Sequence, residues 1–137
     1  MGITGFGHVG FVVSDMDRAI DFYQNKLGFK KVVEITPPGR QIVFLEICQG
    51  QTIELFSGGE SKIESSPKNI GYAHTCFIIE DMENLMKDLE SKGVEFNGEP
   101  RINEDGSGTF RIIDPDGNEF EMMQRGPNSM FSHRWRE

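Results

Sequence analysis

The chain has 137 residues, 22 Asp+Glu against 14 Lys+Arg, a formal net charge of -8, 11 Phe and 2 Cys. Its length suits one domain or two small fused halves, and 36% hydrophobic residues with that much phenylalanine argue against disorder. The acid surplus argues against nucleic acid and against an anionic membrane surface, both of which select for Lys and Arg.

Cys48 and Cys76 are too few for a disulfide framework and read as buried or site-lining thiols in a reducing compartment. No apolar run approaches the roughly 20 residues of a membrane span. The N-terminal stretch lacks a basic segment followed by an apolar one, and Phe6 stands where a myristoylation motif wants Ser or Thr. A cytoplasmic protein is expected.

The first predicted strand lies near 6–13. Ser14 or Asp15 can cap a helix running to about Leu27, in which Met16, Ala19, Ile20, Tyr23 and Leu27 recur at three- and four-residue steps. Gly28 supplies the stop. Strands follow near 31–35, 42–47 and 51–56, punctuated by Pro37-Pro38-Gly39 and Gln49-Gly50. Residues 57–69 are rich in Ser, Gly, Lys and Glu. The second half repeats the order: a strand near 72–79, a helix near 82–91, then strands near 94–96, 109–113 and 118–124. Asp114-Pro115-Asp116-Gly117 turns the last pair. The expected division is a first module at 1–60, a linker at 61–69, a second module at 70–125 and a tail at 126–137.

The repeat itself is the most informative feature. His8 through Met16 pairs position by position with His74 through Met82, an offset of 66 residues, and each half closes on a strand bearing a glutamate, Glu54 or Glu121. Strand alternation places Ile53 and Leu55, or Phe120 and Met122, on one face and the glutamate on the other. His8 and His74 fall on the mixed face with the acids. Two imidazoles and two carboxylates converging from four strands suit a divalent ion with one or two open positions. Ni²⁺, Zn²⁺, Co²⁺, Fe²⁺ and Mn²⁺ all accept N/O donors, and the sequence does not choose. Taken singly, either His reads as an ordinary strand polar residue and Glu54 as solvated; the repetition changes that weighting. Cys76, two residues from His74, reads as packing, Glu119 as rim, and Asp15, Asp17, Arg18 and Asp21 as a solvated helix face. Arg40, Arg101, Arg111 and Lys68 are weak candidates for anion binding. Trp135 in the tail is a candidate for closing the pocket, and His133 receives no ligand role.

These residues carry a resemblance. His8 and its strand, the Asp15–Gly28 helix, Ile53-Glu54-Leu55, His74 and the Asp114-Pro115-Asp116-Gly117 turn leading to Glu121 resemble the vicinal-oxygen-chelate superfamily. That superfamily includes glyoxalase I, methylmalonyl-CoA epimerase, extradiol dioxygenases and fosfomycin- and bleomycin-resistance proteins. The resemblance implies an α+β fold of two tandem βαβββ modules, forming an eight-stranded half-barrel or barrel with helices outside. It implies a metal on His8, Glu54, His74 and Glu121, a set most similar to bacterial glyoxalase I. It also implies a lyase or isomerase acting on a 2-oxoaldehyde–thiol adduct or related hydroxy-carbonyl through an enediolate, with Glu121 as first base and Glu54 as second carboxylate. A ring-cleaving dioxygenase, an epimerase or a drug-sequestering binder are the alternatives on the same scaffold. Glyoxalase I of this kind carries Arg four residues after the first His and Asn four residues after the first Glu, where this chain has Val12 and Gly58. The thiol therefore stays open. A homodimer is expected, with the four donors drawn from one chain or from two.

Overall fold

In the computed structural model, which describes residues 2–127, the chain divides into two compact units between Glu64 and Ser65.

The first unit runs β1 (His8–Val12), α1 (Met16–Ile20), a π-helical segment (Asp21–Lys26), β2 (Lys30–Ile35), β3 (Ile42–Cys48) and β4 (Gln51–Phe56). Its sheet has the order β1-β4-β3-β2, with β1 parallel to β4 and the other pairs antiparallel. Asp15 caps α1, its Oδ1 accepting from the Arg18 amide at 3.0 Å. One face of β3 and β4 is apolar, and Val43, Leu45, Ile53 and Leu55 are fully buried. Met16, Ala19, Phe22 and Tyr23 from the helical segment are buried as well. β2 is exposed along its whole length, with Val32, Val33 and Ile35 open to solvent at the sheet edge.

The second unit runs β5 (Thr75–Ile79), α2 (Met82–Ser91), β6 (Glu95–Phe96), β7 (Arg101–Ile102), β8 (Gly108–Ile113) and β9 (Glu119–Gln124). Its sheet has the order β5-β9-β8-β6, and β7 pairs with β8 as well. Asp81 caps α2 by accepting from the Asn84 amide at 3.1 Å. Leu89, Phe110, Ile112, Phe120 and Met122 form its buried face. The mixed α+β fold and the repeated order of strand, helix and antiparallel strands are as expected, apart from the short extra strand β7.

Local differences have physical reasons. The expected helix to Leu27 is α-helical only through Ile20, and the wider π turns that follow present Phe22 beside Tyr23. Phe22, absent from the three-and-four spacing, is buried, whereas Ile20 is only half-buried. The expected strand at 72–79 begins at Thr75, so His74 stands just ahead of the ladder. Trp135 and His133 lie outside the described residues.

Candidate metal centre

The sequence repeat holds in hydrogen-bond register. In the parallel pair β1/β4, Gly10 lies opposite Glu54; in β5/β9, Cys76 lies opposite Glu121. Each histidine precedes that opposite residue by two, which places it on the same side of the strand as the glutamate. Ile53 and Leu55, flanking Glu54, and Phe120 and Met122, flanking Glu121, point into the two cores. Burying those neighbours turns each carboxylate to the opposite face.

The side chains meet accordingly. His8 Nε2 lies 3.0 Å from Glu54 Oε2, and His74 Nε2 lies 3.6 Å from Glu121 Oε2. Both glutamate side chains are 15% exposed, and the histidines 47% and 37%. The 3.0 Å contact is also that of an ordinary histidine–carboxylate hydrogen bond. Adjacent ligands held about 2.0–2.2 Å from one ion sit about 2.8–3.6 Å apart. The N/O spacing within each unit therefore fits two neighbouring ligands of a borderline divalent cation. Each unit supplies one such pair, and among the described residues no three His, Cys, Asp or Glu side chains form a cluster able to hold an ion.

The surroundings of the two glutamates differ. Across the antiparallel ladder, Glu54 faces Phe44 and Glu121 faces Arg111. Phe44 packs edge-on against His8 with ring centroids 5.5 Å apart. Arg111 Nη1 donates to Glu119 Oε1 at 2.8 Å, and its Nη2 lies 3.6 Å from Glu121 Oε2. Asn97 Nδ2 donates to Glu119 Oε2 at 3.0 Å. Burial, then the Glu121 charge and a hydrogen bond to it, push the Cys76 thiol up to about 11.

The structure gives two of the residues weighed in the sequence specific partners. Glu119, expected at the rim or in solvent, is 28% exposed at its side chain and anchors Arg111. Arg111, read as an anion binder, is already engaged by two carboxylates. Counting outward from Asp114–Gly117 as a four-residue turn would put 111 opposite 120; the observed ladder closes on Asp114 and Asn118, one residue wider, and so puts 111 opposite 121. Of the other cations, Arg40 lies over the Phe56 ring at 4.8 Å, and Lys68 is exposed. Arg101 lines a polar cavity of about 570 Å³ together with Asn97, Asn103, Arg111 and Glu121. Asp15, expected together with Ser14 as a cap candidate, is the α1 cap and is exposed.

Comparisons with known proteins agree with this architecture. The chain is 29% identical over 129 residues to a lactoylglutathione lyase of Arabidopsis thaliana, covering 89% of this chain and 44% of that protein. It therefore spans less than half the length of that relative. It is 28% identical over 124 residues to the metallothiol transferase FosB of Lysinibacillus sphaericus, covering 88% of this chain and 82% of that one. The crystal structure of a glyoxalase family protein from Enterococcus faecalis superposes with a TM-score of 0.77 at 26% identity, covering 90% of this chain and 99% of that one. The trypanothione-dependent glyoxalase I of Leishmania major gives 0.69 at 26% identity, covering 89% and 87%. A family profile matches residues 5–122, and the chain belongs to the Glyoxalase/Bleomycin resistance protein/Dioxygenase superfamily.

Proposed function

We propose that this protein is a metal-dependent lyase or isomerase of glyoxalase I type, acting on a 2-oxoaldehyde–thiol adduct or a related hydroxy-carbonyl. The observation that carries the reading is the duplicated His–Glu pair, at 3.0 Å in one unit and 3.6 Å in the other, at equivalent registers of two repeated sheets. His8, Glu54, His74 and Glu121 would hold one divalent ion, with Ni²⁺, Zn²⁺ or Co²⁺ as the first candidates. When bound, the ion supplies Lewis acidity, lowering the cost of negative charge that develops beside a substrate carbonyl.

The chain's own residues do the rest. Glu121 accepts the proton from the hydroxyl-bearing carbon next to the carbonyl at a carboxylate oxygen and returns it to the former carbonyl carbon, while the hydroxyl proton passes to the former carbonyl oxygen, so the carbonyl changes places without net redox change. Glu54 and the two imidazoles keep their places. The cavity wall of Asn97, Asn103, Thr109 and Arg101 beside Glu121 suits a polar substrate. The thiol is unassigned, because Val12 and Gly58 stand where a glutathione-using relative would present Arg and Asn. The protein is further proposed to act as a homodimer in the cytoplasm.

The test is metal analysis of purified protein beside His74→Ala and Glu121→Gln, followed by turnover assays. The substrates are methylglyoxal adducts of glutathione and other small thiols. Near-stoichiometric metal in the wild type, lost in His74→Ala, is expected, with turnover of at least one adduct. Equal trace metal in all three proteins would end the proposal. Metal binding with metal-dependent thiol transfer, and no adduct turnover, would instead favour the activity named for the FosB relative.

A further inference from the structure

The repeat is faithful at the His–Glu pairs and breaks one strand away. Phe44 opposes Glu54, whereas Arg111 opposes Glu121 at the equivalent register. Thr52 sits two residues before Glu54; Glu119 holds the same place before Glu121. The second unit thus replaces an aromatic and a hydroxyl side chain by an ion pair. That pair is built to point. Glu119 receives Asn97 at 3.0 Å on one oxygen and Arg111 at 2.8 Å on the other, so the guanidinium is fixed on one side. Its second nitrogen is turned to Glu121 at 3.6 Å. The oxygen it faces, Oε2, is the one 3.6 Å from His74. One carboxylate oxygen stands between two nitrogen partners and closes on neither. Glu54 Oε2 sits at 3.0 Å from His8 with a phenyl ring as its cross-strand neighbour.

We propose that Arg111 is a positioning residue: anchored by Glu119, it retains a share of the Glu121 carboxylate and makes that glutamate the looser of the two acidic ligands. The inference rests on the four-residue metal reading given above. A guanidinium and a divalent cation compete for the same lone pairs, and a planar fork is suited to hold one carboxylate while steering another. Glu121 is then the acid able to leave its ligand position for proton transfer, and Glu54 the one that stays. The cavity beside Glu121 gives the freed carboxylate room.

Competitive titration with Co²⁺ against a chromogenic chelator tests this directly. Arg111→Met removes the rival, so Co²⁺ binds about fivefold more tightly, as expected for loss of one part-exposed ion pair. The visible absorption of bound Co²⁺ changes with the altered carboxylate, and kcat falls with KM little moved. Glu119→Gln removes the anchor, the guanidinium turns fully to Glu121, and Co²⁺ binds more weakly. Arg111→Lys keeps the charge but loses the fork, so its Co²⁺ affinity falls between wild type and Arg111→Met. Opposite signs for Arg111→Met and Glu119→Gln support the assignment. Equal affinity in all variants, or shifts of the same sign, overturns it while leaving the metal reading intact. Failure of wild-type protein to bind Co²⁺ sinks the metal reading, and this inference with it.

Discussion

The Asp114 carboxylate accepts hydrogen bonds from the amides of Asp116 and Asn118 at 3.0 and 2.7 Å and from Asn118 Nδ2 at 2.9 Å, while only 5% exposed. These bonds fix the turn whose register puts Arg111 opposite Glu121. Asp114→Ala leaves part-buried amide donors without this acceptor and should cost about 1 kcal/mol, read as a lower denaturation midpoint. An unchanged midpoint would show the turn to be held elsewhere. The turn was legible because Asp-Pro-Asp-Gly constrains its own backbone locally. Cys76 shows the opposite case: its parity with His74 places it on the mixed face, but its chemistry depends first on its burial and then on a carboxylate 45 residues onward. With the thiol proton retained up to about 11, the thiolate fraction falls about tenfold for each pH unit below that value. In a Cys48→Ser background, alkylation of Cys76 by iodoacetamide in metal-free protein should therefore keep accelerating beyond pH 10. A rate that levels off near pH 9 would contradict the buried, carboxylate-facing placement.

At the scale of elements, hydrophobic spacing and caps located most strands and both helices, because apolar alternation and capping act within a few residues. The π-helical segment was not legible. Its extra residue per turn changes which side chain faces the core, and Phe22 is selected by packing with Tyr23 at 5.0 Å between ring centroids, not by a repeat in sequence. The expected start of β5 at 72 falls three residues early, because β9 pairs only with Thr75–Ile79 and the pairing is not encoded in the local sequence. Asp81 offers the prediction at this level. It caps α2 through the Asn84 amide at 3.1 Å, and its other oxygen accepts from Asn84 Nδ2 at 2.7 Å. The next amide, of Met82, donates to Gln124 Oε1 at 2.8 Å, tying the helix start to β9. Asp81→Ala should lower stability by about 1 kcal/mol, and Asp81→Asn by less, because the amide keeps an acceptor. Equal losses in thermal melts would assign the effect to charge and not to the cap.

For the whole molecule, the site reading requires more than either unit contains. Each sheet presents one imidazole and one carboxylate, so the proposed four-donor site would need two units, which is what the paired histidines lead the sequence to suggest. A repeat carries no record of whether such a partner would be the neighbouring half or another chain. Binding that selects the folded state raises stability in proportion to the logarithm of ligand over dissociation constant, about 2.7 kcal/mol at a hundredfold excess. Saturating Zn²⁺ should accordingly raise the Tm of wild-type protein and a chelator should reverse the rise. Both His8→Ala and His74→Ala should abolish the shift, though the two residues belong to different units. A shift surviving in either variant would show that one His–Glu pair suffices. The variants also locate the donors. In a homodimer that exchanges units, a refolded equimolar mixture of His8→Ala and His74→Ala chains contains mixed dimers with one intact site and one doubly defective site. About a quarter of the wild-type metal loading then returns, since half the dimers are mixed and half of their sites are whole. No recovery confines each set of four donors to a single chain.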